Sequence, residues 1–231
     1  MNRIPPTTKN LLIINILFYM GTLAVQKYGI DLHRILGLHF FMAPNFHVYQ
    51  LVTYMFLHDG FQHIFFNMFA LWMFGRIMET EWGAKRFLIF YLACGIGAGL
   101  LQEITQFIHY EIVYSGYDAV QISSTGATIP MKIFLDRMLT VGASGAVYGI
   151  LIGYGMTFPE HEILIFPIPM PIKAKWTVIG YALLELVLGI GTNAADNVAH
   201  FAHLGGMLIG FLIILYWRRK DRRDNHIKFT Y

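Results

Sequence analysis

The sequence predicts an all-α, polytopic membrane protein built as a bundle of six transmembrane helices. Three observations carry that prediction. Hydrophobic residues fill 56% of the 231 positions and charged residues only 13%, whereas roughly 25% of an average soluble domain is charged. The charges cluster between long apolar runs. The basic residues are concentrated in alternate connections, the pattern by which membrane helices are oriented.

The apolar runs place six helices at about Leu11–Val25, Phe61–Met78, Phe87–Ile108, Thr140–Phe158, Trp176–Ile190 and Val198–Trp217, read as one domain over residues 1–231. Several fall short of the ~20 residues that a perpendicular span needs, so local thinning or snorkelling at their ends is expected. An even number of spans puts both termini on one side. Of the 17 basic residues, all but Lys27, Arg34, Lys132 and Arg137 fall on that side. The positive-inside rule then places both termini in the cytoplasm, as expected for an integral protein of the plasma membrane.

The connections are uneven. The outer segment 26–60 contains an aromatic stretch, Leu32 to Phe41, too short to span and suited to an interfacial or half-buried loop. The outer segment 109–139 is more polar, with Ser123-Ser124-Thr125-Gly126, and reads as an external excursion; loops of this length are uncommon unless functional or locally structured. The inner segment 159–175 carries Pro159, Pro167, Pro169 and Pro171 and reads as a stiff connection. The single cysteine, Cys94, excludes a disulfide framework and any multi-cysteine metal site, and is assigned to packing. No leader is evident, since Pro5-Pro6 precedes the first apolar run without a convincing cleavage site after it. A net charge of +3 points to no nucleic-acid partner.

Polar groups inside apolar runs are costly, so they mark function. Ser144 stands in Val141-Gly142-Ala143-Ser144-Gly145-Ala146-Val147-Tyr148-Gly149. Small residues there permit either close helix packing or access to the hydroxyl. His63 and Asn67 are four apart on the second predicted helix and share a face. His200 and His203 open the sixth. With the orientation above, Ser144, His63, Asn67, His200 and His203 lie at one outer depth. Gly206 and Gly210 follow His203 by three and seven residues and share its face, so His203 rides where the sixth helix packs closest, against Gly142, Gly145 and Gly149. His200 lies one turn above on nearly the same face, and spacing alone leaves the two histidines open. Glu79 reads as structural at the inner boundary, Glu103 as a group reaching water, and Glu185 as a carboxyl that is protonated or hydrogen-bonded within the fifth helix.

Taken together, His58 with His63-Ile64-Phe65-Phe66-Asn67, the Gly75-xxx-Glu79-xxx-Gly83 spacing, Gly142-Ala143-Ser144-Gly145, Tyr148, and Ala202-His203-xx-Gly206-xxx-Gly210 resemble the rhomboid family of intramembrane serine proteases. The resemblance implies a six-helix rhomboid-like bundle and an endopeptidase acting in or near transmembrane segments. It implies Ser144 as nucleophile, His203 as general base, and His63 and Asn67 at positions of oxyanion stabilisation. It puts Tyr148 where an aromatic ring packs on the imidazole, and His58 where the outer loop is held. One departure is visible: Tyr49-Gln50 stands where many members have Trp-Arg.

The residue chemistry agrees with that implication. A serine is a weak nucleophile until a neighbouring base takes its proton, and histidine titrates in the right range. No aspartate in the fourth or sixth helix is placed to orient His203, so a dyad is expected rather than a triad. Asp136 and Asp196 lie at loop edges and receive no catalytic role. His63, the Asn67 amide and the Ser144 backbone N–H are candidate oxyanion donors. No cofactor is expected, and no metal, since no carboxylate or cysteine joins His200 and His203. There is no His-Glu-x-x-His zinc pattern, no pair of aspartates inside spans, and no repeat between the halves of the kind many transporters carry. A pseudoprotease would be marked by loss of the serine or histidine, and both are present. The expected partners are transmembrane-protein substrates and the lipid bilayer.

Overall fold

The computed structural model describes residues 3–122, 126–164, 170–191 and 194–223. Helix α1 (Pro6–Gln26) carries proline in its first turn, where the missing N–H costs nothing. It has no side-chain cap of its own. Glu79 supplies one from far along the chain, accepting from the backbone N–H of Thr7 at 2.9 Å and of Thr8 at 2.6 Å, and from the Thr8 hydroxyl at 2.7 Å. A carboxylate at a helix N-terminus satisfies orphan donors and faces the favourable end of the dipole. The structural role expected of Glu79 is thus specific: it pins the start of the first helix.

The first outer segment folds into α2 (Leu32–Leu36), β1 (Leu38–His39), α3 (Gln50–Thr53) and a 3-10 turn over Tyr54–Phe56. Asp31 caps α2 through the N–H groups of His33 and Arg34. Leu38, Phe40 and Leu57 are fully buried, so this segment is packed structure rather than a loose loop. Gln50 explains how the chain manages without an arginine there. Its Oε1 accepts from the backbone N–H of His47 at 3.0 Å, and its Nε2 donates to the carbonyls of Asn45 at 3.0 Å and Ile35 at 3.3 Å. The Tyr49 hydroxyl donates to the same Ile35 carbonyl at 3.0 Å.

Helix α4 (Phe61–Ala70) runs through a π turn at Leu71–Gly75 into α5 (Arg76–Trp82), a helical stretch four residues longer than expected. Helix α6 (Ala84–Val113) exceeds its expected span at both ends, and within it the polar Gln102, Glu103 and Gln106 are at most 6% exposed. The expectation that Glu103 reaches water is therefore corrected. It accepts from the Phe41 backbone N–H at 2.6 Å and ties α6 to the first outer segment.

The second outer segment therefore begins near residue 114. It forms a hairpin of β2 (Ala119–Gln121) and β3 (Thr128–Pro130), with Val120 opposite Ile129, followed by α7 (Met131–Asp136). Ser123, Ser124 and Thr125 lie outside the described residues. Met131 and Leu135 bury against Phe40 and Ala43. Strand β4 (Leu139–Thr140) then pairs antiparallel with β1, Leu38 opposite Thr140. The two outer segments are one substructure.

Helix α8 (Ser144–Thr157) starts four residues later than expected. Residues 139–140 are spent on the strand, and Gly142 has φ +130°, a conformation that favours glycine and stops a helix from starting earlier. In the inner connection β5 (Glu162–Ile163) pairs with β6 (Ile172–Lys173); Pro167 and Pro169 lie outside the described residues. Helices α9 (Ala174–Gly191) and α10 (Ala194–Arg223) complete the chain.

The molecule is mostly helical, and each of the six expected segments contains a helix. Among the described residues three stretches, Pro6–Gln26, Ala84–Val113 and His200–Arg223, are long and apolar enough to cross a membrane. Large apolar side chains such as Leu17, Phe66 and Val187 are exposed on the outside, which suits a lipid-facing surface. The most buried helix is α8, packed between α6 and α10. Its seam with α10 has no room for side chains. A Cβ on Gly206 would come within 1.9 Å of the Gly145 carbonyl oxygen, and one on Gly210 within 3.2 Å of the Gly149 carbonyl oxygen. Gly145, Gly149, Gly206 and Gly210 thus form the close approach expected from their spacing. Gly142 does not belong to it, because it precedes the helix. Cys94 is buried, and its sulfur packs at Gly149.

Candidate active site

Because the strand β4 and Gly142 delay the helix, Ser144 becomes the first residue of α8. Its backbone N–H therefore belongs to the set that has no partner inside a helix. Its Oγ lies 2.9 Å from Nε2 of His203 on α10. The glycine seam next to the pair makes that distance possible. Of the two histidines left open by spacing, His203 is the one at the serine. Its ring stacks on Tyr148, centroids 4.2 Å apart and planes at 11°. Tyr148 is one helical turn below Ser144, so a single face of α8 presents both the hydroxyl and the ring that orients its partner.

The far side of the imidazole departs from expectation. Nδ1 of His203 lies 3.1 Å from Oε2 of Glu185 on α9, close but off the line of a hydrogen bond. The same oxygen accepts from His200 Nδ1 at 2.5 Å, and Oε1 accepts from the Tyr148 hydroxyl. Glu185 is 5% exposed. No aspartate of the fourth or sixth helix is expected to orient His203, and the carboxylate found beside it is instead a glutamate of the fifth helix. His200 is not a histidine simply facing water, since its Nδ1 is bound to this carboxylate. The expectation that no carboxylate joins the two histidines is also corrected. Ligand atoms of Glu185, His200 and His203 lie within 4.8 Å of one another, a spacing a divalent cation can bridge, although the short contacts among them already occupy these atoms.

His63 and Asn67 stand one turn apart on α4. The Asn67 Nδ2 donates to the His63 carbonyl at 3.0 Å, and His63 Nδ1 accepts from the Asp59 backbone N–H at 3.3 Å. The His63 ring lies over Gly142, where a Cβ would come within 2.7 Å of its Nε2. Gly142 thus serves the site twice, through its positive φ and by leaving room for this imidazole. His63, Asn67, Ser144 and Tyr148 line a cavity of about 740 Å³. Phe66 of α4 and Tyr181 of α9 border it from either side. His58 is buried at 1% exposure beside His63, ring centroids 5.1 Å apart. Its carbonyl lies 3.2 Å from His33 Nε2, which links it to the first outer segment. Asp136 sits in that outer substructure, accepting from Asn45 at 2.8 Å.

The arrangement can activate a hydroxyl and receive a chain in a mostly apolar cavity. Comparisons with known proteins bear on the family. A family model described as the rhomboid domain matches residues 45–220. Rhomboid protease AarA of Providencia stuartii is 32% identical over 165 residues, covering 69% of this chain and 52% of that protein. Rhomboid protease GluP of Bacillus subtilis is 28% identical over 166 residues, covering 71% of this chain and 25% of that protein. Rhomboid protein 1, mitochondrial, of Saccharomyces cerevisiae is 28% identical over 163 residues, covering 68% of this chain and 38% of that protein. The chain thus spans between a quarter and about half of the length of these relatives. Two of these relatives are bacterial and one is named as mitochondrial, so they do not select a plasma membrane for this chain. Since the family match contains α4, α8 and α9 whole and nearly all of α10, with both Ser144 and His203, the chain belongs to the rhomboid family.

Proposed function

We propose that the protein is an intramembrane serine endopeptidase that cleaves peptide bonds in or near transmembrane segments, with Ser144 as nucleophile and His203 as general base. The observation that carries this reading is the 2.9 Å contact between Ser144 Oγ and His203 Nε2, held by the glycine seam. In this reading the Ser144 Oγ attacks the scissile carbonyl carbon while its proton passes to His203 Nε2. The tetrahedral intermediate collapses, the C–N bond breaks, and His203 gives the proton to the leaving amine. Water, deprotonated by the same nitrogen, then hydrolyses the acyl-enzyme.

The developing oxyanion is assigned to the Ser144 backbone N–H, the Asn67 amide and His63. A single such donor is worth about 3–4 kcal/mol of barrier. His63 and Asn67 line the same cavity as Ser144, which supports their roles. Helix α8 has 14 residues, about 21 Å at 1.5 Å each, against a hydrocarbon core of about 30 Å. The helix thus falls about 9 Å short of crossing the core, which fits an end, and its serine, set below one membrane face.

The substrates are transmembrane proteins whose segments unwind readily, with small or helix-weakening residues near the cut. The distribution of basic residues supports an orientation with both ends of this chain on one, positively flanked side of the membrane. GluP and AarA, both named rhomboid proteases, support the hydrolytic reading over that of a non-cleaving relative. The test is cleavage of a panel of single-span proteins in liposomes by the wild type and Ser144→Ala. Cleavage by the wild type alone supports the reading, and equal cleavage by folded Ser144→Ala overturns it.

A further inference from the structure

We infer that Glu185 is a positioning residue for His203, so that the site operates as Ser144–His203–Glu185 rather than as a two-residue dyad. The inference rests on the protease reading above. Its warrant is the convergence of two hydrogen bonds and one close contact on one buried carboxylate. The Tyr148 hydroxyl donates to Oε1, His200 Nδ1 lies 2.5 Å from Oε2, and His203 Nδ1 lies 3.1 Å from the same Oε2. Two of the three partners also touch each other, Tyr148 stacking on His203 at 4.2 Å. The groups facing His203 are thus Glu185 of α9, Ser144 and Tyr148 of α8 and His200 of its own helix, with His63 of α4 across the cavity.

The proton arrangement follows. An ionised carboxylate only accepts, so each Nδ1 that bonds it must carry the hydrogen. His203 is then the tautomer with Nδ1–H toward Glu185 and a bare Nε2 lone pair toward Ser144 Oγ–H. That is the tautomer a general base needs. When the Ser144 proton arrives at Nε2, the imidazolium forms beside a negative charge. Glu185 keeps its charge and takes no proton, as in the orienting carboxylate of serine protease triads. The Nδ1 contact is bent in the resting protein, and such contacts commonly tighten only when substrate binds. His200 and Tyr148 hold the carboxylate in place meanwhile.

Glu185→Gln is the informative change because it keeps the shape. A carboxamide offers one acceptor oxygen where three donors need two. If its NH2 group faces the two histidines, their Nδ1 atoms must become acceptors, and the His203 hydrogen moves to Nε2, the wrong tautomer. The experiment measures kcat, KM and thermal midpoint for the wild type, Glu185→Gln and Glu185→Asp on one cleaved reporter in liposomes. We expect Glu185→Gln to lower kcat of the folded protein at least tenfold with KM unchanged, whatever the fall in midpoint from its unmatched donors, and Glu185→Asp, which keeps the charge, to recover part of the loss. A purely structural carboxylate predicts a lowered midpoint with kcat of the folded fraction preserved. Wild-type kcat in folded Glu185→Gln overturns the inference. If Glu185→Gln fails to fold, Glu185→Asp decides: a lower kcat at an unchanged midpoint supports the role, and wild-type kcat overturns it. A wild type that cleaves nothing overturns instead the protease reading on which the inference rests.

Discussion

Replacing Gly206 by alanine is expected to separate the catalytic pair without touching either member. The added Cβ would sit 1.9 Å from the Gly145 carbonyl oxygen and 2.7 Å from its carbon, closer than the 3.0 Å below which real Cβ contacts essentially do not occur. The obstructing atoms are backbone at the start of α8, so no side chain can swing aside. The helices must part by the difference, about 1.1 Å. Gly145 adjoins Ser144, and Gly206 lies one turn below His203. Transmitted in full, the displacement takes the Ser144–His203 distance from 2.9 Å to about 4.0 Å, beyond hydrogen-bond reach. A misplacement of about 1 Å at reacting groups costs on the order of 100-fold in rate, and overpacking of this kind costs about 1–3 kcal/mol of stability. The assay is kcat on a reporter in liposomes alongside the thermal midpoint. Gly180→Ala is the control, since an added Cβ there would have nothing within 4 Å and alanine favours a helix by about 1 kcal/mol over glycine. Folded Gly206→Ala with kcat within twofold of the wild type would refute the claim that the glycine seam sets the catalytic distance.

Two further outcomes are expected. Glu79→Ala leaves the N–H groups of Thr7 and Thr8 without their acceptor, which costs about 1–3 kcal/mol per buried orphan. A lowered thermal midpoint, with near-wild-type kcat in the protein that remains folded, checks it. His200→Ala removes one holder of Glu185 but leaves Ser144 and His203 in place, so measurable turnover should persist, and complete loss in a folded variant would contradict that expectation.

The site is more legible in the sequence than the connections are. His203, Gly206 and Gly210 are separated by regular helical offsets, so 100° per residue suffices to place them on one face. The depth argument then brings two helices together. Glu185 is visible only as an expensive carboxyl in an apolar run. Its partners sit on two other helices, and no periodicity within α9 announces which neighbours it meets. The signal that is available is cost: a buried acid near two histidines of similar depth demands donors. The pairing of Leu38 with Thr140 is equally hidden, because two-residue strands about 100 positions apart carry no alternation to read. That pairing, with the positive φ of Gly142, is what moves the start of α8 to Ser144. Gln50 shows the reverse case, where a departure from a family pattern is absorbed by four local hydrogen bonds.

The most direct test of the central claim is identification of the residue modified by a fluorophosphonate, by peptide mass spectrometry on the wild type, Ser144→Ala and His203→Ala in liposomes. The account predicts a single adduct on Ser144 in the wild type, absent from both variants, because the hydroxyl reacts only when His203 takes its proton. An adduct on a different residue, or undiminished labelling of Ser144 in folded His203→Ala, would contradict it.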